Sequence, residues 1–83
     1  MANTTDFTLA AGSWLEAVAG PAEAEVMTDS FLLYKYADAE PADHPKANVI
    51  GPGERFVAVP AEGQSLWVIN PNRDVHFSVT VDA

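Results

Sequence analysis

Turn-forming residues interrupt this chain so often that no stretch between them is long enough for a stable helix. Between Gly51 and Val81, turn residues separate three runs rich in valine, isoleucine and aromatic residues, at 55–59, 65–69 and 74–81. Runs of this length and composition, bounded by glycine, proline or asparagine, are typical of β-strands. We therefore interpret this stretch as three strands that follow one another in a β-meander.

Five further runs precede this stretch, at 4–10, 13–19, 22–28, 30–36 and 48–50. The runs 13–19 and 22–28 contain alanine and glutamate, which favour helices, but turn residues on both sides leave them too short. We interpret both as strands. Seven or eight short strands, with turns at intervals of roughly 8 to 12 residues, predict an all-β fold, a small antiparallel β-sandwich or jelly roll.

The size of the chain and its lack of cysteine bear on how such a fold is stabilised. With 83 residues we expect one domain, 1–83, close to the size at which burial only just outweighs the entropy of ordering the chain. Without cysteine, neither a disulfide scaffold nor a thiolate zinc site can form. Assembly with other chains is the remaining common source of stability. A homo-oligomer, a dimer or trimer, or docking on a larger partner is therefore expected.

The charge of the chain narrows the range of partners. Twelve acidic residues against four basic ones give a formal net charge of -8, and the basic residues are scattered singly. Binding to nucleic acid or to an anionic membrane requires clustered basic side chains, so neither is expected as a partner. The N-terminal residues lack the features of a signal peptide, and no apolar run could span a membrane. We expect a protein made in the cytoplasm that stays soluble or leaves only within an assembly.

Alternation within the strands predicts which side chains share a face. In the run 30–36, Tyr34 and Tyr36 alternate with Phe31, Leu33 and Lys35, so both faces of this strand carry bulky groups. In the closing run, the residues that alternate inward should supply much of the core together with Phe56. These are Val75, Phe77, Val79 and Val81.

The two tryptophans lie in other strands. Trp67 shares a face with Ser65 and Ile69, and Trp14 shares one with Glu16 and Val18. So small a domain cannot bury all of these bulky faces, and aromatic residues are enriched at the centre of protein interfaces. The sequence therefore predicts a protein interface formed by Trp14, Tyr34, Tyr36 and Trp67. Stacking of a sugar ring on the same side chains is the alternative use.

No catalytic, cofactor-binding or metal-binding residues are predicted. His44 lies in an acidic loop at 37–47 whose spacing matches no cation-binding pattern, so we interpret the loop as a solvated surface. His76 alternates with Ser78 and Thr80 on the polar side of its strand. The expectation is a protein that is not an enzyme.

The turns between the strands carry a resemblance to a known class of proteins. The segments are Thr8-Leu-Ala-Ala-Gly-Ser-Trp14, the loop 38–42, and Val49-Ile-Gly-Pro-Gly-Glu-Arg-Phe56 leading to Leu66-Trp-Val-Ile69. Together they resemble small virion proteins of tailed bacteriophages, of the capsid decoration or cement type. No functional residue transfers from this resemblance, because it carries no active site.

The resemblance implies a non-enzymatic structural protein. It would bind the exterior of the capsid, contact the major capsid protein, stabilise the shell and reside on the virion surface after synthesis in the host cytoplasm. Decoration proteins of this type are commonly oligomeric β-sandwich or jelly-roll modules. The alternative is a carbohydrate- or receptor-binding β-sandwich module of a phage tail or fibre.

Overall fold

All eight predicted runs form strands. The computed structural model describes residues 2–42 and 48–82, and each strand begins and ends within two residues of its predicted bounds. The predicted loop position His44 lies outside these residues. The described part of the chain contains no helix, and so none that could cross a membrane. The strands are Ala2–Leu9 (β1), Leu15–Ala19 (β2), Ala24–Thr28 (β3), Leu32–Ala37 (β4), Val49–Ile50 (β5), Phe56–Ala58 (β6), Ser65–Ile69 (β7) and Val75–Asp82 (β8).

The strands form two antiparallel sheets of four. Sheet A has the order β1-β8-β3-β6, and sheet B has the order β2-β7-β4-β5. The pairs β1·β8, β2·β7, β3·β6 and β4·β5 are nested, as if the chain were one long hairpin with its tip between β4 and β5. Rolling up that hairpin brings β3 against β8 and β4 against β7. This connectivity is the jelly roll, and it confirms the predicted fold class.

The predicted meander at 51–81 is wrong. Its three strands alternate between the sheets, because β6 pairs with β3, β7 lies between β2 and β4, and β8 returns to sheet A. The alternation of apolar residues identifies a strand from local sequence alone. The partner of that strand is set by contacts with distant parts of the chain, and the turns between these strands cross from one sheet to the other.

The hydrophobic core lies between the two sheets. Val75, Phe77 and Val79 are buried there, and Val81 and Phe56 pack against it, as predicted. On the neighbouring strand β1, the ring of Phe7 stacks on that of Phe77 with centroids 5.0 Å apart. The other buried members are Leu9, Ala17, Val18, Ala24, Val26, Leu32, Ile50, Ala58, Leu66 and Val68.

A β-bulge in β2 changes the predicted faces of that strand. Glu16 pairs with Trp67, but the register shifts before Val18, which pairs with Leu66. The additional residue places Val18 on the core side, where it is buried, while Glu16 stays exposed on the outer side. The prediction that Glu16 and Val18 share a face is therefore wrong, because strict alternation fails wherever a strand contains an extra residue.

A buried asparagine connects three turns at one end of the sandwich. Asn70 has no exposed surface, and its side chain accepts hydrogen bonds from the backbone N–H groups of Asn72 and Arg73 at 2.9 and 3.2 Å. Its amide donates to the carbonyl of Phe31 at 2.9 Å, and its own carbonyl accepts from Gly12 N–H at 2.8 Å. One residue therefore fixes the turns that lead out of β1, into β4 and out of β7.

Candidate functional site

The four aromatic residues predicted to form an interface are divided between two environments. Tyr34 and Tyr36 point between the sheets and pack against the core. The ring of Tyr34 lies 4.7 Å from that of Phe56 on the opposite sheet, and the Tyr36 hydroxyl accepts a hydrogen bond from Val59 N–H at 3.3 Å. The two tyrosines therefore join sheet B to sheet A at the edge formed by β6.

Trp67 and Trp14 have a different position. Trp67 projects from the outer side of sheet B, where it is flanked by Glu16 of β2 and by Lys35 of β4. Trp14 lies one residue before β2, and continuing the register of β2 and β7 by one residue would place it opposite Ile69 on the same outer side. Both tryptophans are half-buried, and neither packs against the core between the sheets.

These tryptophans belong to a second apolar cluster outside the core. Leu33 lies opposite Ile69 on one neighbouring strand and opposite Val49 on the other. Ile69 has no exposed surface although it is not part of the core, whereas 49% of Val49 remains exposed. We call this surface the Trp67 face, and it consists of Trp14, Leu33, Val49, Trp67 and Ile69.

The sequence pattern places Leu33 and Ile69 on the Trp67 face, but it does not place Val49 there. Leu33 alternates with the tyrosines, and Ile69 shares the side of Trp67, so both could be assigned to the outer side of their strands from sequence. Val49 gives no such signal, because a strand of two residues has no period to detect. Its position on this surface follows only from its pairing with Leu33.

Polar groups surround the centre of the Trp67 face and are already engaged. The indole N–H of Trp67 donates to the carbonyl of Ala37 at 3.3 Å, and the Ser65 hydroxyl donates to Glu16 Oε2 at 2.7 Å. With its N–H satisfied within the chain, the indole can contact a partner through apolar atoms without leaving a polar group buried and unpaired. An apolar centre with a polar rim is the usual composition of a protein interface.

The outer side of sheet A is mostly polar, although Met27 and Val57 are exposed on it. An open depression of about 500 Å³ lies on it, and its outward-facing lining consists of Asp6, Thr8, Met27, Asp29, His76 and Ser78. Neither tryptophan contributes to it. The prediction that His76 lies on a polar, exposed strand face is confirmed.

The contacts of His76 do not assemble a catalytic group. Its Nδ1 lies 3.2 Å from the Thr8 hydroxyl, but Asp29 accepts a hydrogen bond from the backbone N–H of His76 rather than from its ring. A nucleophile and base of this kind would need an acid that orients the imidazole. No residue in the described part of the chain fills that role, and no three metal-ligating side chains converge there.

The chain was compared with protein-family models, with curated proteins and with solved structures. None of the three comparisons found a match.

Proposed function

We propose that this protein is a non-enzymatic structural component of a phage virion. It binds the exterior of the capsid through the Trp67 face and stabilises the shell by contacting the major capsid protein. The observation that carries the proposal is the second apolar cluster, which lies on the outer side of sheet B and is separate from the core. The resemblance of the turn segments to decoration proteins supports the choice of the major capsid protein as the partner.

The energetics of a small domain support the use of this surface in binding. In a two-sheet sandwich that acts alone, the inner side of each sheet forms the core and the outer side faces water, so neither outer side needs to be apolar. Sheet B nevertheless places two tryptophans and three aliphatic residues outside its core, with Val49 half exposed. Contact with a shell would remove this apolar surface from water and would stabilise the folded domain by mass action.

The charge distribution supports binding to the outside of the shell. A net charge of -8 is unfavourable next to packaged nucleic acid and favours solubility on an exposed surface. Glu16 and Lys35, on either side of Trp67, offer one group of each sign at the rim. Such rim charges orient a partner and affect the association rate more than the affinity.

The test is co-sedimentation of the purified protein with capsids assembled from the major capsid protein of the same genome. Trp67→Ser should weaken binding about 30-fold or more, because loss of a central tryptophan typically costs about 2 kcal/mol or more. Val49→Ser should weaken it less. The matched control is Val59→Ser, which removes a valine that is 62% exposed and directly follows β6 of the other sheet.

Two results would contradict the proposal. The first is the absence of capsid binding by the unmodified protein. The second is equal binding by the Val49→Ser and Val59→Ser variants together with undiminished binding by Trp67→Ser. Thermal melts of each variant distinguish loss of the interface from loss of the fold, since Trp67 also donates a hydrogen bond within sheet B.

A second candidate function is supported by the depression on sheet A. Its carboxylates, hydroxyls and imidazole are groups that hydrogen-bond to sugar hydroxyls, which favours a carbohydrate- or receptor-binding module of a tail or fibre. The aromatic side chains considered for stacking a sugar ring as the alternative use lie elsewhere, because Trp67 is on sheet B and Trp14 directly precedes β2. Binding on a glycan array that is lost in His76→Ala and retained in Trp67→Ser would favour this function over capsid binding.

A further inference from the structure

Three of the four sheet edges are blocked against pairing with another chain. A free edge exposes backbone N–H and C=O groups, and proteins commonly protect such edges with short strands, bulges, proline or lysine. In sheet B, the edge strand β5 has two residues and the edge strand β2 contains the bulge at Glu16–Val18. In sheet A, the edge strand β6 has three residues. None of these three edges offers a long regular ladder.

The fourth edge, β1, has none of these protections. It spans eight residues and pairs with β8 without any shift of register from Ala2 to Leu9. It contains neither proline nor lysine, and Asp6 is its only charged residue. Residues 3–6 are exposed, and β8 is the only strand to which β1 is bonded within the described part of the chain.

We propose that two copies of this chain pair through their β1 edges. The two strands lie antiparallel across a two-fold axis, so that two copies of sheet A form one continuous eight-stranded sheet. The occupant is a second copy because an antiparallel edge is complementary to itself, so that each residue meets its partner in both directions. This inference does not depend on the proposed function, because the Trp67 face belongs to sheet B.

The geometry also selects the register of this pairing. Two residues that face each other across neighbouring strands point their side chains to the same side of the sheet. In a symmetric pair of β1 strands this holds only if the two-fold axis passes between two copies of the same residue. Centring on Thr5 or on Asp6 gives the longest ladders from a strand at 2–9. Centring on Asp6 would place two carboxylates directly opposite, which is unfavourable. Centring on Thr5 places Asp6 opposite Thr4 of the second copy, so we assign that register.

The absence of native cysteine makes disulfide trapping a clean test. In the assigned register, Thr5→Cys brings two cysteines face to face, with Cα atoms about 4.5–5.5 Å apart, within the range of about 4.4–6.8 Å that a disulfide spans. Asn3→Cys is the matched control on the same side of β1. Its two copies would be about 13 Å apart, since residue 3 faces residue 7 of the second copy. Asp6→Cys tests the competing register centred on Asp6, in which its two cysteines would lie face to face.

Light scattering of the unmodified protein across a dilution series should show a dimer that dissociates on dilution. Under mild oxidation, Thr5→Cys should form covalent dimers at least about ten times faster than Asn3→Cys or Asp6→Cys. A monomer at every concentration overturns the proposal, as does a trimer, because a single two-fold edge contact cannot close a ring of three. Faster cross-linking of Asp6→Cys overturns the register.

A measurement without any substitution guards against misfolded variants. Amide hydrogen exchange of the unmodified protein should show protection of β1 that rises with protein concentration, while the protection of β6 should not change. Concentration-independent exchange in β1 would contradict the pairing.

Discussion

Replacing Asn70 by alanine should remove a large part of the stability of this domain. The side chain makes three hydrogen bonds to backbone groups, two as acceptor and one as donor, and it has no exposed surface. A hydrogen bond of this kind contributes about 1 kcal/mol, and a buried group left without a partner costs about 1–3 kcal/mol. Water can reach part of the turn at Asn72 and Arg73, which are exposed. We therefore expect a loss of about 2–4 kcal/mol.

Urea denaturation followed by tryptophan fluorescence measures this loss, with Trp14 and Trp67 as native reporters. The midpoint should fall while the slope stays unchanged, since the surface exposed on unfolding is the same. Thermal unfolding should shift downward by at least about 8 °C for a domain of this size. Asn72→Ala is the matched control in the same turn, and its exposed side chain should change stability by less than about 0.5 kcal/mol.

Asn70→Asp separates the two roles of the side chain. Aspartate keeps the acceptor for the N–H groups of Asn72 and Arg73, but it turns an oxygen toward the carbonyl of Phe31. It should therefore also be destabilising, because the donor is lost and a charge is buried. If the free energy of unfolding of Asn70→Ala lay within about 1 kcal/mol of that of the unmodified protein, the view that the Asn70 side chain fixes the turns at Phe31 and at residues 72–73 would be wrong.

Two further predictions concern a tight backbone contact and a surface ion pair. A Cβ atom at Gly20 would overlap the carbonyl oxygen of Ala61. Gly20→Ala should therefore lower the free energy of unfolding by about 1–3 kcal/mol in the same denaturation assay. Gly51→Ala, where the structure has room for the added atom, should lower it by less than about 1 kcal/mol. An equal effect of the two substitutions would contradict the packing argument. The salt bridge between Arg55 Nε and Glu25 Oε2 is short, at 2.7 Å, but the Arg55 side chain is 76% exposed. Arg55→Gln should therefore change the free energy of unfolding by less than about 1 kcal/mol. Added salt should make this effect smaller, because it screens exposed charges. A larger effect that persists in 1 M salt would show that this pair is not screened by solvent.

The existence of the strands and their positions along the chain could be predicted from local sequence, because turn residues and alternation act over a few positions. The run 65–69 has the same bounds in the structure as in the prediction. The same local signals also placed Val75, Phe77 and Val79 in the core. These elements depend on neighbours along the chain, which a single sequence displays directly.

The features that local sequence could not supply all depend on distant partners. The meander was wrong because the choice of sheet is made by pairing across the molecule, and the faces of β2 were wrong because a bulge leaves no compositional mark. The four aromatic residues predicted to form one interface lie in two different environments in the structure. Alternation assigns a side chain to one side of its strand, but it does not show which side meets the other sheet. Tyr34 lies on the side that packs against Phe56, and Trp67 lies on the opposite side.

The nested pairing of the strands has a consequence for how the chain reaches its fold. Residues 33 and 49 pair in the innermost strand pair, 26 and 56 in the next, 15 and 68 in the one after, and residues 2 and 82 in the outermost. Each inner pair shortens the loop that the next pair must close, so the entropy of closure is distributed over successive small steps. We therefore expect β1 to be the last strand added and the first to detach. A molecule that has lost it would expose the long edge of β8 in its place, which makes the outermost pair the point where folding and self-association compete.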